Sequence, residues 1–206
     1  GLDWSGIDAF SASYEDWGAA DVIYFAGVDP YETKSVLFTS WIMGGKNPDK
    51  KLIFALPRKT MGVAYGEQKG GIFLPVIPGT DAVLQLAIIR VILENGWEDR
   101  EFIDKWISNQ WEIDSGFGRG PRNTPVEWFT TWGRYGVGFG DYKKWILGYK
   151  YAELGTAEQI TGVPASLMKQ AAEMLAKPRQ DGSRPKASFM LEKGIYWCNN
   201  LGNTTS

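Results

Sequence analysis

Apolar positions along the chain follow two rhythms. Residues 21–27, Asp21-Val22-Ile23-Tyr24-Phe25-Ala26-Gly27, form a short, nearly unbroken apolar run that ends in glycine. Such a run predicts a strand buried on both faces of a parallel sheet. Residues 51–56, closed by Pro57, predict a second strand, and residues 72–77 a third extended segment. Residues 187–191 predict a last strand, leading into Glu192-Lys193-Gly194. Between these runs the spacing changes to that of helices. Over residues 81–95 the positions Leu84, Ala87, Ile88, Val91 and Ile92 recur with helical period, and Gly96 stands where a C-terminal cap belongs.

A further helix is expected from residue 30 to about residue 43. Asp29 serves as its N-cap, Pro30 occupies the first helical position, Glu32 reaches back as in a capping box, and Gly44-Gly45 ends it. Shorter helices are expected over 101–107, capped near Asp99, and over 142–151, 156–161 and 164–175, with Thr156 and Gln159 opening the second of these three.

Strand, helix, strand in this order predicts an α/β fold, a Rossmann-like parallel sheet flanked by helices. Three regions are expected. Residues 1–107 form a Rossmann-like cofactor-binding region. Residues 108–141 form a loop insertion in which Gly116, Gly118, Gly120, Gly133, Gly136, Gly138 and Gly140 alternate with Trp111, Trp128 and Trp132. Residues 142–206 supply helices and a returning strand of the first region. The start at Gly1 and an end without glycine or proline punctuation lead us to expect an internal fragment of a larger multi-domain chain.

Composition narrows the function. At 206 residues and 44% hydrophobic the chain is long enough for a sizeable core. Basic and acidic residues nearly balance, 22 against 24, and no Lys/Arg run marks a nucleic-acid surface. No apolar stretch approaches the roughly 20 residues of a membrane span. The single cysteine, Cys198, excludes an internal disulfide, and the absence of histidine removes the commonest metal ligand and general base. Any metal chemistry must therefore borrow its ligands from elsewhere, and no catalytic residue or metal ligand is singled out here. Of the ten tryptophans, those in residues 108–145 either wall a substrate funnel or a pterin, or fill cores and interfaces. Asn203-Thr204-Thr205 matches a glycosylation acceptor, a pattern too short to use.

Candidate chemistry sits where strands end. At Gly27-Val28-Asp29-Pro30 backbone N–H groups point outward, as a ribose or phosphate site needs, although Asp29 also reads as a plain N-cap and its charge suits a hydroxyl or base edge better than a phosphate. Pro57-Arg58-Lys59-Thr60 places two cations after the second strand, as a diphosphate grip or as solvated charges. At Pro78-Gly79-Thr80-Asp81 the glycine permits close backbone approach, and Thr80 or Asp81 either caps the next helix or accepts a ligand hydrogen bond. Glu192-Lys193-Gly194 is a fourth such junction, or a surface turn. Ligands of open α/β sheets bind outside the carboxyl ends of the strands, so these four junctions are expected to converge.

Taken in order, these motifs resemble the dimethyl sulfoxide reductase family, molybdopterin oxidoreductases that bind two molybdopterin guanine dinucleotides. Tyr14-Glu15-Asp16 ahead of residues 20–23, the four junctions above, Gly96-Trp97 with Phe102-Ile103, and Ile160-Thr161-Gly162-Val163-Pro164 with Ala171-Ala172 carry the resemblance. Residues 96–104 and 191–197 look most like the arsenite oxidase large subunit, with iodate reductase or another oxyanion reductase as the alternative. Leu56 stands where the family commonly has aspartate, and residues 6–12 differ from the arsenite oxidase pocket segment. The resemblance implies cofactor contacts at Gly27, Asp29, Pro30, Glu32, Arg58, Lys59, Gly79, Thr80, Asp81, Glu192, Lys193 and Gly194. It also implies molybdenum bis-molybdopterin guanine dinucleotide, an iron–sulfur cluster upstream, a small oxyanion substrate, a small Rieske-type partner subunit and a periplasmic location. The reading from another class is a non-catalytic nucleotide-binding module on the same scaffold.

Overall fold

The computed structural model describes residues 13–106 and 139–196. They build α1 (Tyr14–Ala19), β1 (Val22–Ala26), α2 (Pro30–Thr33), α3 (Ser35–Leu37), a π-helical segment (Phe38–Met43), β2 (Lys51–Leu56), α4 (Met61–Gln68), β3 (Ile72–Pro75) and α5 (Asp81–Glu94). There follow α6 (Arg100–Trp106), α7 (Phe139–Gly148), a 3₁₀ turn (Lys150–Ala152), α8 (Leu154–Thr161), α9 (Ala165–Ala176), β4 (Ala187–Leu191) and α10 (Lys193–Tyr196). The chain forms two compact units. The larger takes residues up to Trp97 and from Lys150 onward, the smaller Glu98–Tyr149.

In the larger unit the described strands form one parallel sheet in the order β3-β2-β1-β4. This is the expected α/β class. Every residue of β1 is buried, as for a central parallel strand covered on both faces. Its alternation sorts the core into two layers. Val22, Tyr24 and Ala26 join Ile53, Leu74 and the apolar faces of α5, α8 and α9. Ile23 and Phe25 join Leu52, Phe54, Phe38 and Val63 on the other face. Phe25 pairs in register with Phe54, their rings stacked at 4.6 Å, and neither is exposed. Burial of one such side chain stabilises the fold by about 1.5–3 kcal/mol.

At the amino ends of the strands Asp21 holds three segments together. Its Oδ2 accepts from the Lys186 N–H at 2.8 Å and from the Arg179 guanidinium at 2.8 Å, and its Oδ1 accepts from Asn47 Nδ2 at 3.2 Å. The starts of β1 and β4 are thereby pinned in register.

Several expectations need correction. The single helix expected from Pro30 to Met43 is broken at Lys34 (φ −142°, ψ 54°), where the Thr33 hydroxyl donates back to Asp29 O and the Lys34 side chain pairs with Glu192. The π segment that follows ends at Gly44, whose N–H reaches Thr39 O, and buried Lys50 donates to the carbonyl of Ile42 at 2.9 Å. A π turn leaves carbonyls short of partners, and Lys50 supplies one. Nor does Glu32 close a capping box. Asp29 accepts from Tyr31 N, while Glu32 turns to Arg58.

α4 was not expected, because Gly62 and Gly66 weaken a helical pattern. They are there for packing, since a Cβ at Gly66 would meet the Phe54 ring at 3.0 Å. α8 begins at Leu154, ahead of Thr156, so the expected Thr156 cap with Gln159 is absent. Phe139, Gly140 and Asp141 begin α7 rather than ending a loop. The rest of the 108–141 insertion, with Trp111, Trp128 and Trp132, lies outside the described residues, as do Ile107, Cys198 and Asn203. The 81–95 helix forms as expected, with Gly96 at φ +65° just beyond it.

In the smaller unit, the Asp99 carboxylate accepts from Phe102 N and so opens α6 as expected. Glu98 there accepts from Lys143 at 2.6 Å and pairs with Arg100 at 3.0 Å. No described helix is long and apolar enough to cross a membrane.

Candidate functional site

The carboxyl ends of the strands open into a cleft of about 450 Å³. Each junction singled out in the sequence contributes to its wall: Gly27 and Asp29 after β1, Arg58 after β2, Gly79 and Asp81 after β3, and Lys193 with Gly194 after β4. The reason is topological. In a parallel sheet all strands end on one rim, so the segment after each strand meets its neighbours there.

Glycines set the floor. Gly27 has φ +66°, and the Gly194 N–H donates to Gly27 O at 3.1 Å. A Cβ on Gly27 would lie 2.7 Å from Ile195 N, so only glycine lets the two backbones approach so closely. Gly79, at φ +86°, turns the chain from β3 into α5. The Ile77 N–H, donating to Thr161 O at 2.9 Å, ties that turn to the end of α8.

Polar groups are spread around the wall. Asp29 is 7% exposed, and its Oδ1 accepts from Tyr31 N at 2.9 Å. Its Oδ2 is buried without a hydrogen-bond partner. Arg58 and Glu32 face each other at 2.7 Å, both substantially solvated. Glu192 is held by Lys34. Asp81, the first residue of α5, is buried. Burial pushes its carboxyl above the ordinary value, opposed in part by backbone hydrogen bonds at Asp81 itself and Gly79. Tyr24 is buried, and both that burial and the charge of Asp81 drive its phenol well above the usual range.

Three of the residues expected to contact a ligand do not line the cleft. Pro30 is buried as the first residue of α2, Lys59 turns along α4 to Glu67 at 2.5 Å, and the Thr80 hydroxyl donates to Ile77 O at 2.7 Å. In each case a local partner or packing has taken the side chain. Conversely, Thr33, Thr60 and Val76 line the cleft although none of them is among the residues expected to contact a ligand. Thr60 caps α4, its Oγ accepting from Val63 N, so an expectation of that helix would have disclosed it. Among the described residues no group of three or more His, Cys, Asp or Glu is placed to hold a metal ion.

This arrangement can hold an extended ligand that carries both an anionic group, at Arg58 and Lys193, and hydrogen-bond donors, at Asp29 and Asp81.

No family model matches the chain. It is 56% identical over 207 residues to the iodate reductase subunit IdrA of Denitromonas iodatirespirans, an alignment covering 100% of this chain and 23% of that one. It is 30% identical over 220 residues to the arsenite oxidase subunit AioA of Herminiimonas arsenicoxydans, covering 98% of this chain and 23% of that one. The chain thus spans about a quarter of the length of these relatives. Among solved structures, acetylene hydratase from Pelobacter acetylenicus superposes with a TM-score of 0.62 at 23% identity, over 94% of this chain and 20% of that one, a likeness of fold. With similarity running through nearly the whole chain in both relatives, the chain belongs to the dimethyl sulfoxide reductase family of molybdopterin oxidoreductases.

Proposed function

We propose that this chain is the part of a catalytic subunit that grips the nucleotide arm of a molybdopterin guanine dinucleotide, in an enzyme acting on a small oxyanion. The observation that carries the reading is the gathering of Asp29, Arg58, Asp81 and Lys193 around one cleft. The residues present suit that group. Close backbone approach at Gly27 and Gly194 leaves room for a flat or extended ligand, Arg58 offers a cation for a diphosphate, and the orphaned Oδ2 of Asp29 accepts from a hydroxyl or amine. When bound, the molybdenum centre supplies oxygen-atom transfer coupled to electron transfer, and the protein positions it. This chain's own part is to bind and orient the arm, to exclude water beneath it through the buried β1 rim, and to fix the charge around it.

Iodate is the better candidate substrate. The arsenite oxidase resemblance stated first rests on short motifs, whereas identity over the whole chain is 56% to an iodate reductase subunit and 30% to an arsenite oxidase subunit. An upstream iron–sulfur cluster, a small Rieske-type partner and a periplasmic location belong to the same proposal, carried by family likeness. The test is metal and nucleotide analysis of the full-length protein together with assays on iodate and arsenite. About one molybdenum and about two guanine nucleotides per chain, with iodate turnover, are expected. A preparation with neither supports the non-catalytic module instead.

A further inference from the structure

Two ion pairs flank the cleft, and they differ in how much water reaches them. Arg58 and Glu32 keep 67% and 40% of their side chains exposed, Lys34 and Glu192 only 27% and 22%. Charges in the second pair are therefore screened less by solvent and salt. Glu192 lines the cleft, whereas Lys34 pairs with it without lining the cleft itself.

The backbone on both sides suits this pairing. Lys34 closes α2 at φ −142° and ψ 54°, and Ser35 begins α3, so the helix is interrupted at the residue whose side chain crosses from the segment after β1 to the segment after β4. Opposite it, the Glu192 N–H donates to Ala26 O at 3.4 Å and the Gly194 N–H to Gly27 O at 3.1 Å, which holds the chain that bears the carboxylate against the end of β1.

The charges of the cleft give the pair its consequence. Asp29, Glu32, Asp81 and Glu192 line it against the cations Arg58 and Lys193. An anionic ligand meets repulsion there unless the carboxylates are compensated. Arg58 answers Glu32, Asp29 caps α2, and burial favours the neutral form of Asp81. Glu192 directly precedes Lys193, so a bare carboxylate would offset the attraction that Lys193 offers a phosphate. Lys34 removes that opposition while leaving the volume of the cleft to the ligand.

Resting on the nucleotide reading above, we propose that Lys34 is a positioning residue of the cleft, one that holds and neutralises Glu192 so that the β4 side accepts the diphosphate of the dinucleotide. Glu192 then gives its carboxylate to Lys34 and not to the nucleoside, which departs from the contact the family resemblance implies.

The sign of two substitutions separates this role from that of a plain tie between loops. Guanine nucleotide lost by the full-length protein during prolonged incubation is measured at low and at high salt, with thermal unfolding run on the same samples. Lys34→Gln, which bares the Glu192 carboxylate, is expected to lose nucleotide about tenfold faster at low salt, with the deficit shrinking as salt screens the repulsion. Glu192→Gln, which leaves Lys34 as an uncompensated cation beside the cleft, is expected to lose it more slowly than wild type, and the double variant to fall between the two. A tie that only holds the loops together gives faster loss in all three proteins at every salt concentration, and that result overturns the proposal. Wild-type loss from folded K34Q overturns it as well and leaves the cleft assignment standing. If K34Q does not fold, E192Q decides alone: slower loss upholds the charge role, and equal or faster loss overturns it. A wild-type protein without guanine nucleotide overturns the parent reading and this proposal with it.

Discussion

Gly27 and Gly194 meet backbone to backbone, the N–H of Gly194 donating to the carbonyl of Gly27 at 3.1 Å. A Cβ on Gly194 would stand 2.6 Å from that carbonyl oxygen, and one on Gly27 2.9 Å from Gly194 C. The end of β1 and the start of α10 are therefore joined at a point that admits no side chain. Substituting Gly27 by alanine adds a left-handed backbone penalty of about 1–2 kcal/mol to that clash. Thermal unfolding of the full-length G27A protein is expected to show a clear loss of stability together with loss of bound nucleotide. An unchanged midpoint contradicts the contact.

Arg58 and Glu32 are both well exposed, at 67% and 40% of their side chains. A solvated pair contributes about 0–1 kcal/mol to stability. Arg58→Ala should leave the unfolding midpoint almost unmoved while weakening retention of the anionic cofactor, with a milder dependence on salt than wild type. Equal retention across a salt series in both proteins argues against a diphosphate at this position.

Asp81 presents the opposite balance, a buried carboxylate whose value burial raises. A raised acid binds its proton more readily folded than unfolded, so stability is greatest below the ordinary aspartate range and declines as pH rises through the folded value. Asp81→Asn removes that charge. It is expected to raise the unfolding midpoint of the full-length protein at neutral pH while lowering nucleotide retention. Matched unfolding and retention measurements at pH 7 decide it, and a lower midpoint refutes the balance.

Asp21 titrates the other way. Burial raises its carboxyl, but hydrogen bonds from Lys186 N–H and Arg179, with the charges of Arg179 and Lys186, outweigh it and hold it below the ordinary value. The stability it contributes is full above the ordinary aspartate value of about 4 and is lost as pH falls through the lower folded value. Urea unfolding between neutral pH and pH 3 should show a shallower acid loss for Asp21→Asn than for wild type, with D21N the less stable at pH 7. Parallel curves remove Asp21 from the account.

The four strands were legible because each is a short apolar run closed by a turn residue, and a fully buried parallel strand leaves few other readings. Helix α5 was legible from its spacing and from Gly96. Helix α4 was not, since Gly62 and Gly66 read locally as helix breakers. Only the neighbours explain them: Gly66 fits against Phe54, and Gly62 against Asp29. The break at Lys34 was equally hidden, because its partner Glu192 lies far along the chain. Arg58 and Lys59 are adjacent in sequence and chemically alike, yet one lines the cleft and the other pairs with Glu67.

The sequence by itself determined the α/β class, the strand positions and the junctions that bear polar groups, since hydrophobic period and turn chemistry are local properties. Tertiary structure alone decided the strand order β3-β2-β1-β4, in which the last strand joins the first. It also decided which junction side chains face one cleft and that one oxygen of Asp29 is left without a partner. Those outcomes depend on contacts between residues far apart in the chain, and no local pattern encodes which distant backbone a side chain will meet.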